Sequence, residues 1–137
     1  MIYLIQILSI LFAIGLAKHD APAVIHFEHY GIDNKQMAKF HRYNNWIKFF
    51  FCLLASTIFI PTLVLIFISG LLSFLWIYLI FDIALNKSRS GISWDYIGSN
   101  DADGKRWINW FGKKAGEIKA VSLLALIIVV NILKLIV

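Results

Sequence analysis

Charge is scarce in this chain, and three long stretches have none at all. Lys, Arg, Asp and Glu make up 15% of the 137 residues, against about 25% in an ordinary soluble domain. The stretches 1–17, 49–81 and 120–133 carry no charged side chain, and 60% of the chain is hydrophobic. So little polar surface excludes a conventional water-soluble fold. Cysteine is limited to Cys52, which excludes an intrachain disulfide; within an apolar run it reads as a small buried hydrophobe. Proline occurs only at Pro22 and Pro61, so long helices are free to form elsewhere. Also missing are HExxH, the repeated histidine boxes of membrane di-iron enzymes, and any glycine-rich nucleotide loop.

The apolar residues come in blocks instead. Runs approaching or exceeding about 18 residues read as membrane spans. The central run from Trp46 to Asn86 is too long for one crossing, since a single helix of that length would extend roughly 60 Å, about twice the hydrocarbon thickness. The chain is expected to turn within it, at Pro61-Thr62 or at Ser69-Gly70. Pro61 is preferred, because proline lacks a donor and disfavours helix in the residue before it. Gly70, Ser69 and Ser73 then fall mid-helix, where small side chains let a neighbouring helix approach.

The cations support the same count. Five of the 13 Lys and Arg lie between Lys18 and Lys48, seven between Lys87 and Lys119, and the last is Lys134. With a double crossing between them, both cationic segments share one face of the membrane, as the positive-inside rule requires. The expected fold is therefore all-α and integral to the membrane, a single domain over 1–137. It has four transmembrane helices in two hairpins, with spans near 1–17, 46–60, 62–86 and 117–137. Polar segments 18–45 and 87–116 face the cytoplasm, both termini lie outside, and the location is a cell inner membrane. A cleaved signal peptide at 1–17 is the competing reading, but the basic residues normally preceding such a run are missing.

The first polar segment holds all four histidines. Asp33 and Gln36 fit a capping box that starts the second helix, and Pro22 either starts a short helix or kinks an extension of the first. His19, Asp20, His26 and His29 are candidate metal ligands, because the spacings of seven and three put the imidazoles on one side of a helix. No cofactor is expected from the sequence, and a transition metal at those four residues is the alternative. Asp82 borders the third span, where a carboxylate is costly. It is the candidate catalytic residue, or else a structural anchor paired with Asn86, Arg89 or a group on another helix.

The second polar segment begins as a Ser-, Gly-, Asn- and Asp-rich loop, with Asn100, Asp101 and Asp103 available to cap the next helix. Trp107, Trp110 and Phe111 sit at i, i+3 and i+4 beside Lys105 and Arg106. That is the pattern of a short amphipathic helix lying among anionic headgroups. Trp46 and Trp94 belong to the same interface. Lipid is the expected contact, rather than nucleic acid.

The run Phe81-Asp82-Ile83-Ala84-Leu85-Asn86, then Trp94-Asp95-Tyr96-Ile97-Gly98-Ser99 and a basic helix, resembles small multi-pass membrane proteins of Bacteroidota phages, prophages and genomes. Residues Asp20 to Phe27 are also similar to an N-terminal stretch found among them. The chain departs from that pattern after Asn100, at Asp101-Ala102-Asp103. The resemblance implies a bacterial or phage origin and an inner-membrane location, and no activity. The expected function is that of a non-enzymatic membrane protein interacting with lipid, with itself or with another membrane protein. The alternative is a membrane-embedded, metal-dependent enzyme with a His/Asp site at the inner interface.

Overall fold

The uncharged opening stretch winds into α1 (Ile2–Tyr30), which runs on through Pro22. The computed structural model describes residues 2–30, 34–59, 63–97 and 102–136, with side chains placed for 2–26, 39–40, 42–57, 63–97 and 104–135. The remaining helices are α2 (Asn34–Phe59), α3 (Leu63–Lys87), α4 (Ala102–Phe111) and α5 (Ala115–Ile136), with a 3-10 turn at Gly112–Lys114. Among the described residues every regular element is helical. Asp33, Asn100 and Asp101, and the side chains of Gln36 and Asp103, lie outside the described residues, and with them both capping expectations. Pro61 lies there too. Helix α3 passes unbroken through Gly70, and α2 gives way to α3 between Phe59 and Leu63.

Side-chain contacts fix the helix directions. Phe12 and Phe51 stack with ring centroids 4.0 Å apart, and Asp20 meets Asn44, so α2 runs antiparallel to α1. Lys48 sits over the Phe81 ring, and Gly70 lies against Ser56, so α3 reverses α2 in turn. Lys119 pairs with Asp82, and Lys134 covers the Tyr3 ring, which sets α5 antiparallel to α3 and to α1. The charged ends of α1, α2, α3 and α5 consequently meet at one end of the bundle.

Helix α3 is the centre of the packing. Ser9, Ala13, Ala17 and Ala21 recur every fourth residue on α1 and are almost completely buried. Such small side chains let two backbones come close, which is how helices gain van der Waals contact where lipid removes the hydrophobic drive. Ala13 and Ala17 cluster with Cys52, Ile77 and Phe81. On the other flank Leu72, Leu75 and Leu79 of α3 pack on Ile127 and Val130 of α5. Two of the four buried serines bond back along their own helices. Ser9 donates to the Ile5 carbonyl at 2.7 Å and Ser56 to that of Cys52 at 2.5 Å, a local solution that needs no partner helix. Ser69 and Ser73 are fully buried, and their hydroxyls find no partner among the described residues.

Much of the outside is apolar. Phe49, Phe50, Leu53 and Leu54 of α2 are exposed, as are Val121, Leu126, Ile128 and Leu135 of α5. A continuous surface of this kind belongs against lipid. Among the described residues three helical stretches are long and apolar enough to cross a membrane: Ile2–His26, Leu63–Lys87 and Gly104–Leu135. Helix α2 is not among them. It carries Lys35, Lys39, Arg42 and Lys48, and its charge-free part begins only at Phe49.

Candidate functional site

Four helices bring charge into the interior at the same end of the bundle. On α1, Asp20 is 2% exposed and its Oδ2 accepts a 2.5 Å hydrogen bond from the Asn44 amide of α2. Its Oδ1 lies 3.1 Å from Nδ1 of His19, whose ring is turned outward and exposed. One turn after Asn44 comes Lys48, 8% exposed, with Nζ 3.3 Å from the centroid of the Phe81 ring. A ring face attracts an ammonium, and the charges of Asp20, Asp82 and Lys119 also act on this one.

On α3, Asp82 comes directly after Phe81. Its Oδ2 accepts a 2.9 Å bond from Nζ of Lys119 on α5, and the same ammonium stands 4.3 Å from the Tyr78 ring. The pair is lopsided: the Lys119 side chain is 9% exposed and that of Asp82 is 41% exposed. The carboxylate anchors a cation that could not otherwise leave water, while keeping one edge open to the surroundings.

One turn beyond Asp82, Asn86 is buried and holds the adjoining loop. Its Nδ2 donates to the Trp94 carbonyl at 3.1 Å and the Tyr96 carbonyl at 2.8 Å, while its Oδ1 accepts from Arg89 at 3.4 Å. Ser93 donates to the Asp95 carboxylate, and Gly91 takes a φ of 78° where the chain reverses. Gly116 of α5 abuts the Asp95 carbonyl so closely that any β-carbon there would overlap it. Residues 93–97 are thereby clamped across the ends of α3 and α5. Between them lies an open cleft lined by Asp82, Asn86, Trp94, Asp95, Tyr96 and Lys119, among others.

The sequence-derived candidates are only partly brought together. Asp82 finds its partner on another helix, in Lys119, rather than in Asn86 or Arg89. His19 and Asp20 touch, while His26 is exposed two turns further on, and the side chain of His29 lies outside the described residues. Among the described residues no three of His, Cys, Asp and Glu are grouped so as to hold a metal ion. Of the aromatic and basic residues expected at the interface, Trp46, Trp94, Trp110, Lys105 and Arg106 are exposed and Trp107 is half-buried. In α4 the Trp107 ring lies 6.4 Å from Trp110 and 5.5 Å from Phe111.

Sequence reasoning missed Asn44, Lys48 and Lys119 as members of a buried layer. It also missed a second polar layer, nearer the Ile2 end of α1. There Trp76 donates to Gln6 Oε1 at 2.8 Å and Gln6 donates to Asn131 at 3.1 Å. Asn131 in turn donates to the Ile127 carbonyl at 2.9 Å. A lone amide in an uncharged stretch was the available signal for Gln6, since such a group needs a partner once it leaves water.

The fold and this layer define a helical membrane protein with a charged interior at one end. In comparisons with known proteins, no family model, curated protein or solved structure matches the chain.

Proposed function

We propose that the chain crosses the bilayer four times, with α2 as the fourth crossing, and that it acts by binding rather than by catalysis. Its partners are lipid and other membrane-embedded chains, a second copy included. The observation that supports the crossing count most directly is the alternation of helix directions through Phe12–Phe51, Lys48–Phe81 and Asp82–Lys119. Each reversal returns the chain to the level it left. The segments 18–48 and 87–119 then lie on one face, with twelve of the thirteen cations. The Ile2 end of α1 and the Ile136 end of α5 share the other face. By the positive-inside rule the cationic face is cytoplasmic, and the resemblance to small phage and Bacteroidota proteins makes the membrane a bacterial inner membrane.

Lipid contact is supported by α4. Lys105 and Arg106 precede a cluster of three rings, of which Trp110 is 70% exposed. A short helix so built rests in the headgroup plane and attracts anionic lipid.

Single cysteines in a Cys52→Ala background test the topology. A maleimide that cannot cross membranes is expected to label Lys39→Cys and Ser90→Cys from the same side, and Leu63→Cys from the opposite one. Labelling of positions 39 and 90 from opposite sides would refute four crossings.

A further inference from the structure

The cleft between α3, α5 and residues 93–97 is graded along its length. At the end bearing the polar segments it is lined by Asp82, Asp95 and Lys119; further along the same helices, away from that end, come Leu79 and Leu123. Its charged lining therefore holds two carboxylates and one ammonium, an excess of one negative charge in a chain whose net charge is +5. One acceptor is unused: Oδ2 of Asp82 is taken by Lys119, and Oδ1 makes no hydrogen bond among the described residues, although the side chain is 41% exposed. Trp94 and Tyr96 stand at the rim, both partly exposed. Exposed Lys113 and Lys114 immediately precede α5.

We propose that this cleft is a site for a phospholipid headgroup carrying a primary ammonium, chemically a phosphoethanolamine. The ammonium donates to Asp82 Oδ1, where carboxylate charge and neighbouring rings both favour a cation. The phosphate then lies toward Lys113 and Lys114 of the turn before α5, and the acyl chains run along Leu79 and Leu123 toward the membrane interior. The polar-to-apolar gradient selects an amphiphile over a free phospho-amine. A primary ammonium is selected over a quaternary one, because the open carboxylate oxygen needs an N–H donor that choline lacks. This inference rests on the bilayer placement proposed above and gives its lipid partner a chemical identity.

The test uses the full chain in nanodiscs of equimolar phosphatidylethanolamine and phosphatidylcholine, released into native mass spectrometry. Phosphatidylethanolamine is expected to be retained over phosphatidylcholine by at least about fivefold. Asp82→Asn should lower that preference to below about twofold, and Asp95→Asn, which leaves the Asp82–Lys119 pair intact, should lower it by an intermediate factor. Thermal melts confirm that each variant is folded, and the second variant carries the test if the first is not. Added soluble phosphoethanolamine should displace little of the retained lipid. Equal retention of the two lipids by the unaltered chain overturns the site, as does unchanged preference in both variants. Displacement by soluble phosphoethanolamine as effective as by the lipid overturns the assignment to a lipid. Equal retention alongside same-side labelling of positions 39 and 90 would remove the site and leave the four crossings standing.

Discussion

Lys119 and Asp82 meet at 2.9 Å with unequal burial, the lysine enclosed and the aspartate half open. Their replacements should therefore be unequal too. Asp82→Asn takes the carboxylate from a buried ammonium and should cost about 2–3 kcal/mol, whereas Lys119→Met leaves a carboxylate that still reaches water and should cost about 1 kcal/mol or less. The double variant should recover part of the first loss. Unfolding in mixed micelles measures all three, and equal costs for the single variants would contradict the asymmetry.

Asn86 ties down two carbonyls of the loop after α3. Asn86→Leu leaves both unsatisfied and should cost about 1–3 kcal/mol. The damage should be local, appearing as faster hydrogen exchange in residues 88–97 with the centre of α3 unchanged. Exchange rising evenly along α3 would mean that Asn86 supports the whole bundle instead.

Two helical glycines should answer oppositely to alanine. Around Gly15 a β-carbon would meet nothing within 4 Å, so Gly15→Ala should stabilise by roughly 0.5–1 kcal/mol through helix propensity alone. At Gly116 the same β-carbon would overlap the Asp95 backbone. Gly116→Ala should therefore destabilise by about 1–3 kcal/mol and loosen residues 93–97. Proteolysis of the loop and melting of the whole chain separate the two effects.

The rings of α4 should report headgroup depth. With the other four tryptophans replaced by phenylalanine, Trp110 should be quenched more by bromines near the glycerol than by bromines near the acyl ends. Replacing Lys105 and Arg106 by glutamine should weaken its response to added anionic lipid. Strongest quenching from the acyl ends would place α4 inside the hydrocarbon.

How much of the fold and the site is legible in the sequence depends on whether a residue's partner is local. The apolar blocks mark three helices long enough to cross, because uninterrupted hydropathy needs no tertiary context. The i, i+3, i+4 spacing of Trp107, Trp110 and Phe111 marks α4, and the polar composition of 88–97 marks the loop. Pairings across helices are hidden. Nothing near Asp82 in the chain indicates Lys119, thirty-seven residues on, and nothing near Gln6 indicates Trp76 or Asn131. Those contacts depend on the rotation of each helix about its axis, which sequence periodicity cannot specify when a helix is apolar on every side. The sequence groups Asp20 with the histidines because they are its neighbours in the chain. Folding turns it inward to Asn44, while His26 stays outside.

The short greasy portion of α2 has a mechanical consequence. From Phe49 to Phe59 its charge-free stretch is roughly 16 Å long, against a hydrocarbon slab of about 30 Å. As the fourth crossing, it obliges the leaflet alongside it to dip, while lipid beside α3 keeps its usual depth. The protein would then wear a dimple on one flank only, and bilayers of shorter acyl chains should accept it at lower elastic strain.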